Sequence, residues 1–157
     1  MMITTDDRRV TVAARERAAK EGAPSAAIEL DDGTIITGHS SPLLGACAAM
    51  LINAIKHLAS IDHAIKLISQ KYIEPIQYTK INLLHGKNPR LHTDEVLLAL
   101  SMLSLTDENC QNALEKLPLL RGCQVHTTTM LGEVDMKIFK KLGVDVTSDP
   151  QPKRTDK

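Results

Sequence analysis

Flat rings are almost missing from this chain: 157 residues hold one Phe, two Tyr and no Trp. Single-stranded nucleic acid is bound by stacking its bases on aromatic side chains, so that kind of surface is not expected, and any core must be aliphatic. Net charge is missing as well, because 19 basic and 19 acidic residues cancel. Without a field of one sign, neither nucleic acid nor an anionic membrane is drawn to the protein. Cysteine is sparse. Cys47, Cys110 and Cys123 are odd in number and far apart, which fits buried thiols of a reducing compartment and lacks the paired spacing of a zinc site. No metal and no cofactor is expected. Residues 1–9 have no apolar run behind their charges and no small-residue cleavage site, so the chain is placed in the cytoplasm. Apolar runs fall short of the about 20 residues a bilayer-spanning helix needs, which excludes a membrane role of that type.

What is present is aliphatic bulk, 43% hydrophobic overall, enough for one core at this length. The expectation is a single α/β domain over residues 5–149, with disordered ends at 1–4 and 150–157. Its centre is the stretch 40–58, where only Asn53 is strongly polar between Leu43 and Ile55. Ser41 suits an N-cap and Pro42 the first helical position, so one helix buried on several sides is predicted there.

The other elements follow in order. Thr5, Asp6 and Asp7 supply the cap and first-turn acids of a first helix that runs to about Glu21 and that Gly22 ends. Residues 26–30 and 34–37 flank Asp31-Asp32-Gly33 and read as a β-hairpin, since Asp-Gly accepts the positive φ of a tight turn. Residues 63–69 read as a short buried strand, and 72–84 as a helix in which Pro75 must lie in the first turn or break it. Thr93 caps the next helix, whose run from Val96 to Leu105 predicts burial. Thr106 caps a further one that Pro118 stops, giving a helical hairpin. A β-branched strand at 123–130, a helix at 134–142 ended by Gly143, and a short strand at 144–147 complete the chain. The order αββαβα(αα)βαβ predicts a three-layer α/β/α sandwich with a mixed sheet. That order resembles the cytidine-deaminase-like topology, in which the helix after the hairpin carries a zinc ligand. Such enzymes need His-x-Glu there and Pro-Cys-x-x-Cys later. This chain has His39-Ser40-Ser41 and no cysteine pair, so the likeness stops at topology.

The densest polar cluster is Lys87, Asn88, Arg90, His92, Thr93, Asp94 and Glu95. Two cations beside the free N–H groups of a helix start could hold a phosphate or carboxylate, and His92 next to two acids could move a proton. The plainer account makes the acids ordinary first-turn residues and the cations solvated loop charges. His126, among three threonines on a strand, is the second candidate, with core packing as its alternative. His57, His63 and His85 read as surface residues.

Four stretches carry a family likeness: Ser41-Pro42-Leu43-Leu44-Gly45-Ala46, Ile73-Glu74-Pro75-Ile76-Gln77, the run from Lys87 through Asn88, Pro89 and Arg90 to Leu97, and Lys137-Ile138-Phe139-Lys140-Lys141-Leu142-Gly143. Together they resemble the C-terminal part of the bacterial domain-of-unknown-function family 1846, also called uncharacterised protein family 0371. Gly132 stands where that family usually begins its last helix with serine. The resemblance implies a cytoplasmic bacterial setting and a larger N-terminal region in the longer members. It carries no catalytic residues. A structural or interaction unit without a complete catalytic site is therefore the expected function, its partner being that N-terminal region or a second copy. The alternative is an enzyme domain that binds an anionic ligand through the Lys87 to Glu95 cluster.

Overall fold

The computed structural model describes residues 7–150. It is a mixed α/β structure in which six α-helices and four strands follow the order αββααααβαβ. Helix α1 (Arg9–Glu21) ends at Gly22, whose φ of 65° and N–H bond to the Ala18 carbonyl make the expected left-handed cap. Arg8 is its N-cap position, with no side-chain cap, and no acid stands in the first turn; Thr5 and Asp6 lie outside the described residues. Strands β1 (Ser25–Glu29) and β2 (Ile35–His39) form the predicted antiparallel hairpin. Gly33 takes φ 87° in its turn, and Asp32 Oδ1 accepts the Thr34 N–H at 2.9 Å. Strands β3 (Gln124–Thr127) and β4 (Asp145–Ser148) complete one mixed sheet of order β2-β1-β3-β4; β1 is antiparallel to both neighbours and β3 pairs parallel with β4.

Alternation along β1 divides the interior. Ala27 meets Val10 and Ala14 of α1 on one face, while Ala26 and Ile28 turn to the larger core on the other. That larger core is organised by α2 (Ala46–Leu58), which buries Cys47, Ala48, Met50, Leu51, Ile52, Ala54 and Ile55. Gly38 lets the helix lie directly on β2: a Cβ there would sit 2.3 Å from the Met50 nitrogen. The helix starts later than its sequence suggests. Ser41 caps a turn instead, its Oγ accepting the N–H groups of Leu43 and Leu44 at 3.2 Å. The segment after it runs beside Leu91, with Leu91 N–H on the Leu43 carbonyl and Gly45 N–H on the Leu91 carbonyl.

The strand expected at 63–69 is absent. Lys56, buried at the end of α2, donates to the carbonyls of His63 and Ile65, and this holds the segment as turns while Leu67 and Ile68 dip into the core. Helix α3 (Gln70–Tyr78) carries Pro75 in its interior rather than in its first turn, and continues into a wider π-helical turn, Thr79–Leu83, in which Leu84 N–H reaches the Thr79 carbonyl. Helix α4 (Thr93–Leu103) packs on α2, on α5 (Glu108–Leu114) and on α6 (Glu133–Leu142). His92, not Thr93, is the N-cap position of α4, and Asp107, not Thr106, caps α5, accepting the N–H groups of Asn109 and Cys110. Pro118 falls inside a 3-10 turn, Leu117–Leu120, after α5. Gly143 closes α6 with φ 78°, as expected. Helix α4 is only half buried, which corrects its sequence reading: Val96, Ala99 and Leu100 face the core, but Leu98 and Met102 do not.

Candidate functional site

The loop before α4 is folded against two neighbours. Arg90 donates its Nε–H to the Ser41 carbonyl at 2.7 Å, and Asn88 Oδ1 accepts the Arg90 N–H at 3.0 Å. Lys80 inserts its ammonium between the Arg90 carbonyl (2.6 Å) and Glu95 Oε1 (2.9 Å). The same Glu95 oxygen accepts the His92 N–H at 2.8 Å, so the glutamate ties the helix start to the loop. Thr93 is buried, and both its N–H (3.1 Å) and its Oγ1–H (2.6 Å) go to Asp135 Oδ1 in the first turn of α6. The helix start thus already holds a carboxylate, supplied from within the chain. Asp94 Oδ1 accepts the Glu95 N–H at 2.8 Å, and Lys87 is exposed.

Beside this cluster lies a shallow cleft of about 260 Å³, lined by Asn88, His92 and the start of α6 from Gly132 to Asp135. The structure brings Asn88 and His92 to this cleft and turns Arg90, Thr93 and Glu95 to internal partners. Asp135 and Lys80 were missed from the sequence. One looks like any first-turn acid and the other like any surface lysine, because their partners lie 42 and 15 residues away.

His126 belongs to a separate network on the α1 face of the sheet. It is fully buried, with Nδ1 2.7 Å from Thr147 Oγ1 and Nε2 3.0 Å from Asp149 Oδ1. Arg15 binds the Asp149 carboxylate through two nitrogens, at 2.7 and 3.3 Å, and Arg8 donates to Thr147 Oγ1 at 3.0 Å. Burial pushes the His126 pKa down; Asp149 opposes the shift, while Arg15 and Arg8 add to it. A neutral ring satisfies every partner: Nε2–H donates to Asp149, and Nδ1 accepts the Thr147 hydroxyl.

A second cleft, about 320 Å³, borders strand β2 and is lined by Arg17, Thr37, Asn53, Lys56, His57 and His63 among others. Asn53 donates to the Thr37 carbonyl at 3.0 Å and Arg17 to its Oγ1 at 3.1 Å, which occupies polar groups of this sheet edge. Burial lowers the Lys56 pKa. Among the described residues no group of three His, Cys, Asp or Glu is gathered to hold a metal, and no helix is long and apolar enough to cross a membrane. Cys47, Cys110 and Cys123 are buried thiols; burial raises the Cys110 pKa to about 11 and that of Cys123 upward.

Fold and site together define a small mixed α/β domain whose densest polar cluster is largely engaged by its own side chains. The family model described as "Domain of unknown function DUF1846, C-terminal" matches residues 6–156, and the chain belongs to this family. A UPF0371 protein of Corynebacterium aurimucosum is 57% identical over 148 residues, and one of Streptococcus pyogenes serotype M5 is 46% identical over 148 residues. A UPF0371 protein of Corynebacterium glutamicum is 53% identical over 151 residues. These matches cover 94 to 96% of this chain and about 30% of each relative's length.

Proposed function

We propose that this chain is one folding unit acting as an interaction domain for a companion region, the kind of region that makes up the rest of the longer family members, and that it holds no complete catalytic site alone. The observation that carries this reading is the coverage: nearly all of this chain corresponds to about 30% of relatives up to 57% identical to it. The saturation of the loop cluster by Asp135, Ser41 and Lys80 points the same way, since few of its polar groups are left for a ligand. Hairpin followed by α2 supports a deaminase-like arrangement of elements, without that family's ligands. The test is a chimera in which this chain replaces the matched part of the Corynebacterium aurimucosum protein. A single unfolding transition above the isolated chain's midpoint is expected. Separate transitions, with this domain melting where it does alone, would refute the reading.

The second reading, an anionic ligand at Lys87, Asn88, Arg90, His92, Thr93, Asp94 and Glu95, draws on the cleft that Asn88 and His92 line. His126 has no hydrogen bond to that cluster and, under this reading, takes no part. Titration with phosphate and simple carboxylates, followed by backbone amide shifts, tests it. Saturable shifts centred on 88–96 and lost in Arg90→Ala support the loop; shifts that do not saturate reject it.

A further inference from the structure

From Val96 to Thr106 no residue is charged. A helix with so few polar groups past its first turn belongs largely inside a protein, yet among the described residues α4 is covered on one side only. Val96 and Leu100 are fully buried, whereas Leu98 is 66% exposed, Met102 75% and Leu105, just past the helix end, 85%. Leu98 and Met102 are one helical turn apart on the same side of α4, and Leu105 follows in the turn after its end. On α6 the exposed apolar residues Val134 and Met136 stand among four exposed charges, Glu133, Lys137, Lys140 and Lys141. Beyond the acids of its first turn, Asp94 and Glu95, the outer side of α4 carries no charge and no polar group but Ser101.

We infer that the Leu98–Met102–Leu105 stripe is the docking face for the companion region of the family protein. This rests on the interaction-domain reading above and names its surface. The occupant follows from size and tethering. Relatives place about 70% of their length outside the part that matches this chain, and the matching model is a C-terminal one, so a region more than twice this domain's size precedes it. A stable dimer of separate chains buries about 800 Å² on each partner, far more than three aliphatic side chains offer. A region in the same polypeptide needs much less, because tethering supplies an effective concentration on the order of millimolar.

The experiment places a thiol on the stripe, Met102→Cys, and a control on α6, Lys137→Cys, whose side chain is 71% exposed. Maleimide labelling rates are compared between this chain alone and the chimera described above; the native thiols are buried. In the chimera the Met102→Cys thiol should label at least about tenfold more slowly, with Lys137→Cys unchanged, as a locally covered surface requires. Equal Met102→Cys rates in a chimera that melts as one unit would overturn the docking face and leave the interaction-domain reading standing. Separate melting transitions would remove both. Protection of Met102→Cys in the isolated chain that grows with its concentration would assign the stripe to a second copy and overturn the inference.

Discussion

Asp135 is the residue on which the two packed helix starts depend. One of its oxygens takes both polar hydrogens of buried Thr93, across 42 residues of sequence. Removing it by Asp135→Ala leaves an N–H and an O–H unpaired out of water, which should cost about 1–3 kcal/mol. Urea unfolding checks this, with Glu133→Ala, exposed in the same turn, expected within about 0.5 kcal/mol of wild type. A Thr93→Val, Asp135→Ala double variant less destabilised than the sum of the singles would assign the cost to this pair. The sequence announces an acid near the start of α6 but not its use, because a first-turn carboxylate facing water and one facing another helix are spelled alike. His126 was legible as a residue of a buried strand. Its partners, Thr147 and Asp149, became visible only when β4 was laid parallel to β3.

Elements were legible where a local rule had no competitor. Gly22, Gly33 and Gly143 all take the positive φ that their positions demanded, and the hairpin and α6 follow. Errors arose where a tertiary contact outweighed a local preference. Ser41 and Pro42 looked like the opening of a helix, but the backbone at Leu43 and Gly45 pairs with Leu91 instead, and α2 waits until Ala46. The apolar residues at 63–69 looked like a strand, but the Lys56 ammonium draws two carbonyls inward and leaves no straight edge to pair. Pro75 looked like a helix start because an interior proline removes one bond and crowds the preceding turn. Helix α3 accepts it and loosens into the π turn that follows, where Thr79 Oγ1 donates to the Pro75 carbonyl at 3.1 Å. Helix α4 was misjudged for a different reason: its sequence demands cover on every side, and the described residues supply it on one.

The whole molecule is a sheet with two unlike faces, one resting on α2 with α4, α5 and α6 stacked around it, the other covered by α1. Sequence order alone gave helices on both sides and a mixed sheet, but not which strands adjoin. Stability should vary with pH in a way the buried groups dictate. His126 has its pKa lowered by folding, so as pH falls below about 6.5 the unfolded chain takes up a proton that the folded one resists, and stability drops. Asp149, lowered chiefly by Arg15, adds a second loss as pH falls below 3.8. Cys110 and Cys123 have raised values, so above about pH 9 the unfolded thiols ionise first and stability drops again. Lys56, lowered by burial, works against that alkaline loss, so the clear expectation is on the acid side: urea midpoints should fall as pH drops from 7 to 5, and His126→Gln should flatten that arm; an unchanged arm would show that other groups set it. The same network has a mechanical side. Arg8, at the N-cap of α1, and Arg15 within the helix grip Thr147 of β4 and Asp149 just past its end, so the first helix and the last strand are fastened together. A polypeptide attached before Arg8 and one attached after Asp149 would both meet the domain beside α1.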